Sequence, residues 1–354
     1  MILVNSPGSW SHIYPPLRHS AWNGLTPTDL VFPFFLFIVG SAMSLSFSRR
    51  LEAGASRGDL VRKIVSRSVI IFALGLFLNG FPFREPLNDL RIPGVLQRIA
   101  LCYLLAGLTV ALGSRNRTRL LITAAFLLAY ELLMRLPLAG GWGAGSFELV
   151  DNFVRWVDLA VLGETHLFRV GGLAFDPEGL VSTLPAAATT MAGYFVGEYF
   201  RGGGPTGSKL RHLGLWGAGT GVLGLMVCPM EPVNKQLWTV SYVLVTAGLA
   251  MITLALSSWM IDVRGWKTGT LPAVVFGSNP LVAFLGSGLV ARLLILIKVG
   301  GDAGPVSLKR FLYVEIFEPL AGPVNGSLLF AMTTVLLWLG LLWLLFRRRW
   351  FLKI

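Results

Sequence analysis

Residues 16–48 read PLRHSAWNGLTPTDLVFPFFLFIVGSAMSLSFS, and this stretch decides the fold class. A short polar opening holds His19, Trp22 and Asn23. It runs directly into an apolar stretch, Leu30 to Phe47, broken near its start by Pro33. An uncharged run of about 20 residues is what a helix needs to cross the hydrocarbon core of a bilayer. The charge at the outer end of the run is Asp29. A carboxylate at the mouth of a span is costly unless it is paired or hydrated. Capping is the plainer role, because aspartate is favoured at a helix N-terminus. The two roles do not exclude each other.

Working outward, the same pattern recurs. Of the 354 residues, 54% are hydrophobic and 14% charged, with mean hydropathy +0.67; a soluble domain is about a quarter charged. Further apolar runs cover about 67–81, 94–112, 120–137, 181–200, 213–228, 238–257, 271–297 and 326–346. Met1 to Asn5 read as the outer end of a span whose beginning is absent. The expectation is an all-α, polytopic integral membrane helical bundle of about ten spans, the first truncated. It forms a single transmembrane domain over 1–354, with an extracytoplasmic loop region at about 138–180.

Formal net charge is +12. On a ten-span count, alternate loops and the C-terminal tail carry twice the Lys and Arg of the opposite loops. That bias places both termini in the cytoplasm and His19, the 138–180 segment and Asn234-Lys235 outside. The basic residues are scattered over separate loops, which excludes a nucleic-acid surface. Cys102 and Cys228 lie in apolar runs, so neither a disulfide framework nor metal-ligand spacing is present. No cleavable signal peptide is visible. The absence of a clear internal repeat weighs slightly against a transporter.

Three clusters sit at outer helix mouths: Asn5 with His19 to Asp29; Phe175 to Leu180 followed by Ser182-Thr183-Leu184-Pro185; and Pro232 to Thr239. Helix N-termini there present N–H groups that favour anionic or developing negative charge. Interfacial capping with aromatic anchoring is the structural alternative. Arg98 lies one turn into a span, beside Gln97. An intramembrane arginine is a functional candidate able to hold a phosphate or carboxylate; an ion pair with Asp29 or Glu198 is the alternative. Glu131 and Arg135, four apart, are spaced to pair on one helix face.

His19-Ser20-Ala21-Trp22-Asn23-Gly24-Leu25-Thr26, followed by Asp29-Leu30-Val31-Phe32-Pro33, resembles the membrane-bound heparan-alpha-glucosaminide N-acetyltransferase family. The resemblance extends to Gly94-Val95-Leu96-Gln97-Arg98-Ile99-Ala100, to the three clusters and, more weakly, to Asn279-Pro280. It thus covers most of the chain from Val4. It implies an acetyltransferase that moves acetyl from cytosolic acetyl-CoA to an amino group of an amino sugar or glycan on the extracytoplasmic side, with no metal. His19 matches the family's catalytic histidine, with Asn5 and Asp29 as further catalytic candidates. Histidine suits proton transfer near neutrality, and it can also carry an acyl group transiently. Trp22, Asn23, Asp176, Glu178, Asn234, Lys235 and Trp238 are the acceptor-binding candidates; Gln97 and Arg98 are those for the donor. The departures are the missing upstream helix and the lack of the animal enzyme's luminal domain. They suggest a homologue in a bacterial inner membrane whose acceptor is left open. Membrane lipids are expected partners, and a homodimer is one oligomeric option. A transporter or permease of sugars or glycolipids is the competing class. It accounts for the spans but not for the clustered motifs. A structural scaffold, the third class, predicts no ligand dependence.

Overall fold

The computed structural model describes residues 1–84, 86–113, 115–138, 140, 142–300 and 304–352. Helices form where the apolar runs lie. In chain order they are α1 (Ile2–Asn5), α2 (Val31–Glu52), α3 (Arg57–Gly80), α4 (Val95–Leu112), α5 (Asn116–Arg135), α6 (Phe153–Leu162), α7 (Thr183–Arg201), α8 (Thr206–Val227) and α9 (Val240–Ser258). Then follow α10 (Leu271–Ser278), α11 (Pro280–Leu296), α12 (Leu308–Leu312), α13 (Glu318–Ala321) and α14 (Pro323–Arg347). Two small hairpins, β1 (Arg169–Val170) with β2 (Leu173–Ala174) and β3 (Lys298–Val299) with β4 (Val306–Ser307), are the strand pairs among the described residues.

Local chemistry sets the helix ends. The basic stretch Arg57 to Arg67, which precedes the apolar run at about 67–81, is the opening of α3. Ser56 accepts from the Asp59 N–H, and the Asp59 carboxylate accepts from the Ser56 N–H, a reciprocal capping box. Thr239 caps α9 by accepting from the Tyr242 N–H. The expected span at 271–297 is broken: α10 and α11 meet at an angle of 82°. Pro280 has no N–H to continue the helix, and it pushes Asn279 out of helical backbone.

The expected ten spans are not supported. Among the described residues, four helical stretches are long and apolar enough to cross a membrane: Pro27–Glu52, Val95–Leu112, Val240–Val263 and Pro323–Arg347, or up to five if the bent α10–α11 pair is one span. Charge is the main reason the other long helices fall short. α3 carries Arg57, Asp59, Arg62, Lys63 and Arg67, and α5 carries Arg117, Arg119, Glu131 and Arg135. α8 holds Lys209, Arg211 and many glycines, while α7 is rich in Ala, Thr and Gly and mostly buried by neighbouring helices. The charge comparison made on ten spans loses its basis, because an even span count puts both termini on one side and an odd count parts them. The chain remains an integral membrane protein. Ile38, Val69, Leu121 and Leu225 in the second unit and Leu337 in the first are large apolar side chains left exposed on long helices, more apolar exposure than water tolerates.

The chain divides into two compact units. One comprises Met1–His19, Thr26–Thr28 and Lys267–Ile354; the other comprises Ser20–Leu25 and Asp29–Trp266. In the first, Ile2, Val275, Ala283, Trp338 and Leu342 form the core. Ser327 accepts from the Ser9 N–H and donates to the Ser9 carbonyl, tying the N-terminal loop to α14.

The second unit holds α2 to α9. The turns α2–α3, α4–α5 and α7–α8 are short, so those neighbours run antiparallel. This alternation brings the starts of α2, α4, α7 and α9 to one end, with the loops 81–94, 136–182 and 228–239. At the other end Arg119, Glu52, Glu198 and Arg201 form an ion-pair network. Backbones approach closely where side chains are small. A Cβ on Gly193 of α7 would lie 1.9 Å from the Phe37 carbonyl oxygen of α2, and one on Gly40 would lie 1.8 Å from that of Thr190. Gly217 and Gly248 make the same kind of seam between α8 and α9.

Candidate active site

The loop end of the second unit is where residues 20–25 and Asp29 of the first sequence cluster meet the other two clusters. The turn 20–25 is clasped from two sides. The Gly24 N–H donates to the Val233 carbonyl at 2.8 Å, the Asn234 Nδ2 donates to Asn23 Oδ1 at 3.0 Å, and the Trp22 indole donates to the Phe147 carbonyl at 2.9 Å. Gly24 has φ +110°, a conformation that favours glycine. The Trp22 ring also meets Phe175 edge-on at 5.3 Å. Asn234 is fully buried, and its carbonyl oxygen accepts from the Leu237 N–H. Trp22, Asn23 and Asn234 therefore hold three loops together.

Asp29 is buried inside this clasp. Its Oδ2 accepts from the Ser20 N–H at 3.1 Å, and Lys235 Nζ lies 3.4 Å from Oδ1. The Tyr242 hydroxyl donates to the Asp29 carbonyl at 2.7 Å. The ion pairs anticipated for Arg98 form elsewhere: Asp29 lies with Lys235, and Glu198 with Arg119 and Arg201. Burial pulls the Lys235 ammonium below its ordinary pKa, against the opposing pull of Asp29 and Glu178.

Asp176 and Glu178 share a cation that sequence reasoning missed. Arg91 donates from Nε and Nη2 to the two Asp176 oxygens, both at 2.8 Å, and from Nη2 to Glu178 at 2.7 Å. Asp176 also accepts from the N–H groups of Phe168 and Glu178. Burial works against the Arg91 charge, but the bonds and charges of Asp176 and Glu178 outweigh it and hold the guanidinium above its ordinary value. Burial raises the Glu178 carboxyl, with Arg91 opposing. The signal that could have found Arg91 lay in its partners: two carboxylates two residues apart at a helix mouth require a cation.

Trp238 and Arg98 sit deeper. Arg98 is fully buried; its Nη2 donates to the Gly179 carbonyl at 2.9 Å and to the Ser182 hydroxyl, and its guanidinium lies 5.2 Å from the Trp238 ring centre. Trp238 has φ +56°, and its indole donates to Thr189 at 3.2 Å. Gln97 faces elsewhere: a Cβ on Gly75 of α3 would lie 2.3 Å from its Oε1. The two donor candidates thus serve different helix interfaces. Glu131 and Arg135 do pair, at 2.9 Å.

Asn5 ends α1, and His19 is exposed in the loop that follows; both belong to the first unit. The residue after His19 is Ser20, whose N–H Asp29 holds. Among the described residues no group of three or more His, Cys, Asp or Glu side chains could hold a metal ion. Both cysteines are free.

Comparison with known proteins decides the lineage. The family model for the catalytic region of heparan-alpha-glucosaminide N-acetyltransferase matches residues 11–220. The chain belongs to that family. The human protein called heparan-alpha-glucosaminide N-acetyltransferase is 28% identical over 338 residues, covering 81% of this chain and 50% of its own length. The mouse protein of the same name is 27% identical, covering 81% and 51%. The chain spans about half the length of these relatives. Of the predicted site residues, His19, Trp22, Asn23, Asp29, Gln97, Arg98, Asp176 and Glu178 fall inside the family match. Asn5, Asn234, Lys235 and Trp238 fall outside it.

Within this family member a second carboxyl pair lies at the same loop end. Glu231 accepts from the Ser241 N–H at the start of α9, while its Oε2 and the Glu131 Oε1 have no hydrogen-bond partner among the described residues. A single proton turns that pair of acceptors into a hydrogen bond. Burial, and then the Glu131 contact, push Glu231 up to about 9. The folded state therefore binds this proton more tightly than the unfolded chain. Its stabilisation is complete below the ordinary value of 4.5 and is lost as pH rises through about 9. Asp158, raised by burial to about 7, acts in the same sense over a narrower window. Melting temperature in detergent is expected to fall with rising pH across that range, and Glu231→Gln, which mimics the protonated form, to flatten the fall. An unchanged slope in Glu231→Gln would remove the carboxyl pair as the cause.

Proposed function

We propose that this chain is an integral-membrane acetyltransferase, moving acetyl from acetyl-CoA to the amino group of an amino sugar or glycan. The observation that supports this most is the buried charge at one end of the bundle. Asp29, Arg98, Asp158 and Asp176 are buried, Arg91 and Glu178 are partly buried with them, and all six lie within the family-matched stretch. So much buried charge at helix mouths is costly to keep without a function.

In the reaction the amine nitrogen attacks the thioester carbon. A C–N bond forms, the carbonyl pair moves onto oxygen and returns, and the C–S bond breaks. The sulfur leaves with that electron pair and takes a proton, and the amine nitrogen gives one up. His19 is the residue proposed to accept the amine proton, or to carry the acetyl group between two steps. Asp29 fixes the amide after it, and Asn5 is proposed to orient the imidazole or donate to the oxyanion. Asp176, Glu178 and Lys235 supply the charged wall for the acceptor, with Trp22, Asn23, Asn234 and Trp238 shaping it. Gln97 and Arg98 are assigned to the donor side.

The loop end of the second unit is read as extracytoplasmic, and its opposite end, with Arg49, Arg50, Arg115 and Arg117, as cytoplasmic; in the first unit, Arg347 to Arg349 are read as a stop at the cytoplasmic face. Purified full-length protein incubated with labelled acetyl-CoA and a panel of amino sugars is expected to acetylate at least one. Sugar uptake into vesicles without acetylation would replace this reading with a transporter. Reporters after Arg115 and at the C-terminus should read cytoplasmic, and one in 138–180 outside; a cytoplasmic 138–180 segment would overturn the orientation.

A further inference from the structure

Arg98 and Asp158 grip one peptide group from opposite sides. Arg98 Nη2 donates to the Gly179 carbonyl at 2.9 Å. The other end of that peptide bond, the Leu180 N–H, donates to Asp158 Oδ1 at 2.9 Å. Both side chains are 0% exposed. A buried guanidinium and a buried carboxyl would be expected to pair directly. Here a peptide group stands between them, and it is held tightly. A Cβ on Gly179 would lie 1.9 Å from Asp158 Oδ2, so no other residue fits there without a shift. The Thr183 hydroxyl donates to the same Gly179 carbonyl at 2.9 Å. Ser182 and the Trp238 ring fix the guanidinium from two further directions.

This arrangement leaves specific atoms over. Arg98 Nε and Nη1, and Asp158 Oδ2, have no hydrogen-bond partner among the described residues. Buried donors are rarely left unpaired in native proteins, and a charged one is the most expensive to leave so. Asp158 is the wrong partner for those donors, because its carboxyl is turned to Leu180. The Arg98 Nε and Nη1 donors suit a small acceptor atom that acquires charge only in passing.

We infer that the unpaired N–H groups of Arg98 form an oxyanion-binding site for the acyl group in transit, and that Asp158 is its positioning residue, acting through the Gly179–Leu180 peptide. This rests on the acetyltransferase reading and deepens it. When the amine attacks, the thioester carbonyl pair moves onto oxygen, and Arg98 donates to that oxygen. The pair returns as the C–S bond breaks and the thiolate departs with CoA. Arg98 neither gains nor loses a proton in this step. Asp158 touches no reacting atom. It anchors the peptide whose carbonyl sets the angle of the guanidinium.

The test uses full-length protein and acetyl-CoA isotope-labelled at the acetyl carbonyl. In the bound complex, hydrogen bonding lowers the carbonyl stretching frequency. Infrared difference spectra are expected to show a lower frequency with the wild type than with Arg98→Lys. Asp158→Asn, which keeps an oxygen toward Leu180, should stay near the wild-type value, and Asp158→Ala should move toward Arg98→Lys. In turnover, Arg98→Lys should lower kcat on the order of 10²–10³-fold, as loss of an oxyanion donor does. Equal carbonyl frequencies in wild type and Arg98→Lys would overturn the site. Equal frequencies in Asp158→Asn and Asp158→Ala would overturn the positioning role, and this pair carries the test if Arg98→Lys does not fold. Failure of folded wild type to bind acetyl-CoA would instead sink the acetyltransferase reading itself.

Discussion

Alanine at His19 is expected to reduce acetyl transfer by at least about 10²–10⁴-fold, the usual loss when a general base is removed, while the protein stays folded and binds acetyl-CoA. The structural side of this expectation is clear. His19 is exposed, so truncation opens no buried void. The chain just after it has bonds of its own: Asp29 holds the Ser20 N–H, Gly24 is bonded to Val233, and Trp22 is bonded to Phe147. If His19 instead carries the acetyl group, turnover should vanish almost completely, and labelled acetyl should be trapped on His19 in the absence of acceptor. Activity without a trapped label would favour direct attack in a ternary complex. Two other histidines serve as controls with evident structural partners. His12 Nδ1 lies 3.2 Å from the Tyr313 hydroxyl, and His166 Nδ1 lies 2.6 Å from the Leu90 carbonyl oxygen. Their alanine variants should lose stability before activity. Near-normal transfer by a folded His19→Ala protein would remove the catalytic assignment.

Helix positions were legible because apolar periodicity and length are local properties of the chain. The span count was overstated, because apolar runs were counted without the residues that share their helices: α3, α5 and α8 carry charged side chains, and α7 is rich in Ala, Thr and Gly. The apolar run at 67–81 marks only the later part of α3, since Ser56 and Asp59 carry the capping signal that starts the helix at Arg57. The break at Pro280 was written in the sequence, although the resulting 82° bend was not. In the site, Gln97 and Arg98 are neighbours in sequence, but a helix turns about 100° per residue. They therefore face α3 and the Gly179 loop respectively. Asp29 was singled out correctly as a carboxylate needing a partner, while Lys235 as that partner required the fold. Asp158 drew no attention, because a lone aspartate in the amphipathic α6 resembles any solvated residue until its burial is known.

Arg91→Ala should be the most destabilising single change at the loop end. Asp176 is 0% exposed on its side chain and Glu178 is 13% exposed, and both lean on this guanidinium. Removing one partner of a buried pair leaves the other charge uncompensated, at a cost of about 3–5 kcal/mol. The lower part of that range applies here, because Arg91 itself is 28% exposed and water can partly replace it. Two N–H groups still serve Asp176, from Phe168 and Glu178, but Glu178 is already raised by burial and loses its main counter-charge. The pH dependence has a definite sign. Without Arg91 the folded-state Glu178 carboxyl rises further, so the folded state gains protons relative to the unfolded chain, and stability falls as pH rises from about 4 upward. The gap in melting temperature between wild type and Arg91→Ala should therefore widen from mildly acidic to alkaline buffer. Arg91→Lys, which keeps a charge but not the bidentate geometry, should fall between them. The consequence reaches the proposed chemistry. The Asp176 turn leads directly into Gly179, Leu180 and Ser182, the groups that hold Arg98 and Asp158. A loosened turn should lower acetyl transfer in Arg91→Ala below what its folded fraction accounts for. Coincident melting of wild type and Arg91→Ala at both pH extremes would mean that the 176–178 turn is held by its backbone bonds alone, and the loss of transfer should then be absent too.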